Sequence, residues 1–347
     1  MTKSRKPLIS RRKVLQYGTG TAGLLATGLV PGRGYTQQAA TQTVNFQIGW
    51  ITGGNQLGEV VAKQMGFYEQ EKLNVVIQPG GPSIDGVAIV ASGKFEIGQV
   101  SSSPSLMLAA SQSLPIKCFA VGAQEHPYTF FSLGKKPVKT PQELVGKKVG
   151  IQATGKILLT ALLKKNNIPE DKVEVVVAGA DMTPLLSGQV DVFTGWLTNT
   201  TALKPLGKDR VDLRLWDSGI KLYALPYYAT NDTLTKKAEM VQAFVRATAK
   251  GWEYANANRE KAVDMLVKEY PNLVKADEVE AADVMLAYEF TSATKANGWG
   301  QMDMANWAEQ IKVYDELKQF SAGAPKLEAV ATTAILEATK DKRPKIG

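Results

Sequence analysis

The chain of 347 residues has one cysteine and one histidine. Cys118, inside the apolar run 116–121, can close no intrachain disulfide and reads as a buried thiol. One imidazole and one thiol cannot build a zinc-type centre, and the scattered carboxylates lack calcium-loop spacing. There is no G-x-S-x-G turn to present a serine nucleophile. His126, just before Pro127, suits a structural hydrogen-bonding role better than a catalytic one. The expectation is therefore no catalytic residue, no cofactor and no metal.

Acid is missing from the first 40 residues, which carry Lys3, Arg5, Lys6, Arg11, Arg12, Lys13 and Arg33. A mild apolar stretch follows at 14–30, interrupted by Gly18, Gly20, Gly23 and Gly28. This reads as an export signal over 1–40, with cleavage expected near 36–42. The run from Ser10 to Gln16 resembles a twin-arginine signal, although Val14 and Gln16 depart from that pattern. Seventeen glycine-rich residues fall short of the roughly 20 apolar residues that span hydrocarbon. No cysteine follows the signal to take a lipid anchor, so the expected product is a soluble, exported periplasmic protein. The run Gly18-Thr19-Gly20-Thr21-Ala22-Gly23 spells a dinucleotide fingerprint, but it follows bases rather than a strand.

Across the whole chain 41 lysines and arginines face 33 acids. Without the seven leading bases the count is 34 against 33, so the basicity belongs to the leader. Nucleic acid is not expected as a partner. The remaining residues suffice for two domains and a sizeable core.

What the chain does have is a repeated phrase. Ser92-Gly93-Lys94-Phe95-Glu96-Ile97-Gly98 and Ser187-Gly188-Gln189-Val190-Asp191-Val192-Phe193 each end an apolar helical run with a C-cap glycine and restart as a strand. Two lobes of similar build follow from two copies. Strands are expected at 44–50, 73–78, 116–121, 146–151, 173–177 and 213–216, alternating with helices, which implies mostly parallel sheets covered on both faces. The chain is expected to cross between lobes at 124–131 and again at 223–230. This gives lobe I as 44–128 plus 228–347, and lobe II as 129–227. Beyond 235, helical periodicity dominates at 240–256, 259–270, 279–294 and 304–320.

A family resemblance rests on several segments in order. Lys63-Gln64-Met65-Gly66-Phe67-Tyr68-Glu69-Gln70-Glu71-Lys72-Leu73-Asn74-Val75 resembles a signature segment of the NMT1/THI5-like periplasmic substrate-binding proteins. Gly80-Gly81-Pro82, residues 90–94, residues 140–150 and residues 185–191 fit the same family. The resemblance implies a type II periplasmic binding fold: an α/β protein of two lobes with a hinge crossed twice. It further implies a monomer that serves the permease and ATPase of an ABC importer and takes a small-molecule ligand between closing lobes. A pyrimidine synthase in the same family carries a cysteine-rich CCCFC motif, which this sequence lacks.

Ligands of open α/β sheets sit beyond the carboxyl ends of the strands. Trp50 and Trp196 end strands in different lobes and could face one planar ligand, with core packing as the competing use of each ring. Thr52 follows Trp50. Ser101 and Ser102 precede Pro104 at an expected helix start, and Gln152 and Thr154 hold the matching place in the other lobe. Gln124 and Asn199 can both donate and accept, as the edge of a pyrimidine requires. Asp85 could accept from an amino group or cap the helix after it. Tyr223 lies where the chain crosses back. Within the family, residues 152–153, 183–186 and 195–199 look closest to members that bind thiamine-pyrimidine precursors. An amino-pyrimidine-like heterocycle is the favoured ligand, with sulfonate, taurine or nitrate as the alternative.

Overall fold

The computed structural model describes residues 40–50, 52–81, 84–152, 155–179 and 181–347. Apart from Ala40, the expected export signal lies outside the described residues, as does Thr154.

Ten strands form two five-stranded sheets. In the first lobe, β1 (Gln42–Gln47), β2 (Leu73–Gln78), β3 (Ile97–Gln99) and β4 (Ile116–Ala123) are joined by β10 (Ala224–Thr230), in the order β2-β1-β3-β10-β4. In the second, β5 (Tyr128–Leu133), β6 (Lys148–Ile151), β7 (Glu174–Val177), β8 (Val192–Trp196) and β9 (Arg210–Arg214) lie as β7-β6-β8-β5-β9. Each sheet holds one antiparallel strand, β10 in the first and β5 in the second, each paired on both sides. The two orders superimpose element by element. Helices flank the sheets: α1 (Leu57–Gln64), α2 (Gly86–Ala91), α3 (Pro104–Ser111), α4 (Lys156–Lys165), α5 (Thr183–Leu186), α6 (Thr200–Leu203), α7 (Ala238–Ala257), α8 (Lys275–Glu289) and α9 (Met304–Glu316) among them.

Both repeated phrases do the same local work. Ser92 Oγ donates to the Ile89 carbonyl at 2.7 Å, and Ser187 Oγ to the Pro184 carbonyl at 3.2 Å. Gly93 and Gly188 then take φ of 77° and 76°, the left-handed turn that a side chain would strain. The acid that follows reaches sideways to the neighbouring strand. Glu96 accepts from the Asn45 N–H at 2.9 Å, and Asp191 from the Lys148 N–H at 3.1 Å. A lysine completes each group, Lys237 on Glu96 and Lys136 on Asp191. Each carboxylate thus satisfies a strand amide at the foot of its sheet.

The two crossings differ from expectation. Residues 128–131 and 224–230 were expected as connecting chain, yet both are central strands with every residue buried. The second crossing is complete by Ala224, so residues 224–227 pair in the first sheet rather than the second. Pro226 and a bulge between Tyr227 and Tyr228 disguise β10, because proline cannot donate to a ladder. Strand β9 ends at Arg214, before Trp216, and the helical pattern expected over 279–294 breaks between Glu289 and Ser292.

Candidate functional site

The carboxyl ends of β3 and β8 meet the first crossing at one side chain. His126 is buried, and its ring lies 5.0 Å from that of Trp196 in an edge arrangement. Its Nδ1 accepts from the Tyr128 N–H at 3.2 Å, and its Nε2 lies 3.0 Å from Ser102 Oγ. Burial lowers the imidazole pKa from 6.5 to about 3, so the ring is neutral. A neutral ring that accepts at Nδ1 carries its proton on Nε2, which therefore donates to Ser102. The Ser102 hydroxyl hydrogen is then free to donate elsewhere. Trp196 comes from the second sheet and Ser102 from the loop after β3 in the first, so this histidine joins the two lobes.

Tyr128, the first residue of β5, packs on the same ring at 6.3 Å. Its buried hydroxyl has no hydrogen-bond partner among the described residues, and burial raises its pKa. That hydroxyl sits against Gly155 at the start of α4, where an added Cβ would approach it to 2.0 Å. Only glycine permits this contact. Gln152, at the end of β6, donates from Nε2 to the Gly179 and Thr194 carbonyls at 3.1 and 3.2 Å. Among the described residues no donor reaches its side-chain carbonyl.

The other expected ligand residues are placed variously. Trp50, beyond the end of β1, keeps 46% of its surface exposed. Thr52 is half-buried in the loop that follows. Ser101 is half-buried and accepts from the Leu225 N–H through its carbonyl. Asp85 is spent on capping: its side chain accepts from the Ala88 N–H at 2.9 Å, at the start of α2. Ser103, at the start of α3, caps nothing with its hydroxyl. It donates to Gln310 and accepts from the Tyr223 N–H.

The side chains of Gln124 and Tyr223 point elsewhere. Gln124 Oε1 accepts from Gln301 Nε2 at 2.7 Å, and its Nε2 donates to the Gln301 carbonyl at 2.9 Å. Tyr223 Oη accepts from the Asp303 N–H at 2.8 Å. Both line a cavity of about 890 Å³ with Trp216, Asn306 and Arg343. Trp50, Ser102, His126 and Trp196 are not among its lining residues. Asn199 is exposed at the start of α6 and lines a cavity of about 380 Å³ with Met182, Leu186 and Pro205. Ser102 and Trp196 both meet His126, while the side chains of Gln124 and Tyr223 turn toward Gln301 and Asp303.

The NMT1/THI5 like family profile matches residues 54–262. The chain belongs to that family. A formylaminopyrimidine-binding protein of Halalkalibacterium halodurans is 25% identical over 286 residues, covering 80% of this chain and 86% of that protein. A 4-amino-5-hydroxymethyl-2-methylpyrimidine phosphate synthase of Legionella pneumophila is 26% identical over 237 residues, covering 66% and 74%. Among solved structures, the periplasmic aliphatic sulphonate binding protein SsuA from Escherichia coli matches with a TM-score of 0.66 at 15% identity. That match covers 83% of this chain and 97% of that one. The two-lobed periplasmic binding protein fold is thus this chain's fold.

Within this NMT1/THI5-like fold, His126 and Tyr128 were not foreseen as site residues. The signal for His126 was present in its position, an imidazole at the crossing between sheets, but its partners lie 24 and 70 residues away. Cys118 is buried in β4 and donates from Sγ to the Ala120 carbonyl at 3.3 Å; burial raises its pKa, so the thiol stays protonated.

Proposed function

We propose that this protein is the solute-binding component of an ABC importer and holds a planar nitrogen heterocycle of the amino-pyrimidine class between its lobes. The observation that carries this reading is the His126 group. It offers one aromatic ring, Trp196, one hydroxyl with a free proton, Ser102, and a histidine held neutral. Such groups suit an uncharged ring with donors and acceptors on its edge, gripped without reaction. Gln152 supplies an acceptor for an exocyclic amine, and Trp50 closes the other face. The formylaminopyrimidine-binding relative supports the ligand class. In this reading the protein acts as an exported periplasmic monomer and delivers its ligand to a permease and ATPase.

The likeness to a sulphonate-binding structure supports a second reading, an anion at the start of α4 near the buried Tyr128 hydroxyl. The synthase-named relative raises a third, turnover of a pyrimidine. A thermal-shift panel of 4-amino-5-hydroxymethyl-2-methylpyrimidine, adenine, taurine, an alkanesulfonate and nitrate separates the first two. A ligand at 100 times its Kd stabilises by about 2.7 kcal/mol. Stabilisation by the pyrimidine alone is expected; stabilisation by the anions alone would overturn the reading. Recovery of the pyrimidine chemically unchanged after prolonged incubation is the expected result against turnover.

A further inference from the structure

Trp50 and Trp196, the two walls of the proposed site, are each followed by a short segment that rests on one end of the same helix. After Trp50 and Thr52 comes the turn Gly54–Gln56, and Gly54 packs on Glu278 of α8. A Cβ at Gly54 would lie 3.2 Å from Glu278 Oε2 and 3.8 Å from the Ala281 Cβ. After Trp196 and Asn199 comes α6, which meets the neighbouring residue, Asp277. Thr201 Oγ1 donates to Asp277 Oδ2 at 3.0 Å, and Lys204 Nζ donates to Asp277 Oδ1. Thr200 Oγ1 donates to the Asp277 carbonyl at 3.4 Å. Helix α8 packs in the first lobe against α7's neighbour at 259–269 and against β4. Helix α6 belongs to the second lobe. Asp277 is therefore where the second lobe's wall is tied to the helix that also backs the first lobe's wall.

We propose that Asp277 is a positioning residue that clasps the second lobe in the closed arrangement and so sets how long a ligand is held. It rests on the ligand reading above only for its effect on ligand lifetime. Three donors from one lobe converge on one residue of the other, so the contacts form together and part together when the lobes separate. Lys204 also lies 4.0 Å from Glu280, one turn along α8. A second tie lies elsewhere on the interface, where Lys165 meets Glu309 at 3.4 Å. That tie involves neither wall segment, which makes it a control.

The test measures lobe separation without any ligand. Nitroxides are placed on the full chain at Ile84→Cys and Lys208→Cys, both exposed, while Cys118 is buried and escapes labelling. Pulsed electron spin resonance then reads the distance between lobes. Asp277→Ala and Lys204→Met, from opposite lobes, are each expected to shift the distribution to longer distances. The double variant should open no further than Asp277→Ala alone, and Lys165→Met should open it less. Exposed ion pairs weaken with salt, so 1 M NaCl should open the parent protein in the same direction. Unchanged distributions in Asp277→Ala and Lys204→Met would overturn the clasp. In parallel, release of 4-amino-5-hydroxymethyl-2-methylpyrimidine should quicken about five- to tenfold in Asp277→Ala at unchanged melting temperature. If the parent protein binds no pyrimidine, the ligand reading fails and the distances alone decide the clasp.

Discussion

The two lobes share a strand order and a repeated turn and part company where their strands end. At the foot of each sheet, serine, left-handed glycine, acid and lysine recur with the same partners. At the top, the chain after β3 presents Ser102, whereas β8 ends in Trp196. The likeness teaches that the repeated phrase serves folding, since its acids are consumed by strand amides. The difference is where the proposed function puts recognition, because the unlike residues are the ones that converge on His126. A further contrast lies in the cores. The first lobe buries Glu59 and Glu289 completely, while no buried carboxylate occurs among the described residues of the second.

That contrast in the cores predicts the largest effect. Glu59 accepts from Gln99 Nε2 at 3.1 Å and from the Tyr227 hydroxyl, yet its Oε2 has no partner among the described residues. Desolvation, opposed by these bonds, raises its pKa from 4.5 to about 7. Glu289 is raised by burial and by Glu59, and Glu289 Oε2 accepts from Trp299 Nε1 at 2.7 Å. The folded state therefore holds protons that the unfolded chain releases above pH 4.5. Stability from Glu59 is fully present below pH 4.5 and is lost as pH rises through 7. Glu59→Gln should stabilise the protein at pH 8 by about 3 kcal/mol relative to the parent, and by almost nothing at pH 4.5. Urea unfolding at the two pH values checks this; an equal difference at both would show that Glu59 stays ionised.

The shared scaffold gives the next effect. Glu96→Ala and Asp191→Ala each leave a strand amide without its acceptor, at side chains exposed by only 17% and 18%. Each should cost about 1–2 kcal/mol, and the costs should add in the double variant, since the sites share no partner. Unequal costs in denaturant titrations would break the equivalence of the lobes.

The smallest effects concern the strand ends. Ser102→Ala should weaken pyrimidine binding about tenfold, roughly 1.4 kcal/mol by calorimetry, because the ligand loses a donor. Ser101→Ala should leave affinity within about twofold. Equal losses would place the ligand elsewhere along the loop after β3.

The scaffold was legible because its determinants are local. A helix stop at glycine, an alternating strand after it and strands separated by helices can be read within about 20 residues. The central strands β5 and β10 were not legible as strands. They are uninterrupted buried runs whose partners lie far off in sequence, and β10 contains Pro226. The candidate site was legible only in part for the same reason. Ser102 and Trp196 sit at strand ends, a position that local pattern reveals. Gln124 and Tyr223 have the right chemistry, but they turn toward Gln301 and Asp303, elements that no local pattern connects to them. His126 acquires its role from burial and from two distant partners.

Because the chain has a single histidine, its imidazole nitrogens give an unambiguous signal. Nitrogen-15 correlation spectra of the full chain, recorded from pH 5 to 8 with and without 4-amino-5-hydroxymethyl-2-methylpyrimidine, test whether the ligand meets the lobes at His126. The expected result is a neutral ring protonated on Nε2 that does not titrate over this range and whose Nε2 signal moves on ligand addition. A ring that titrates near pH 6.5, or one indifferent to saturating ligand, would contradict it.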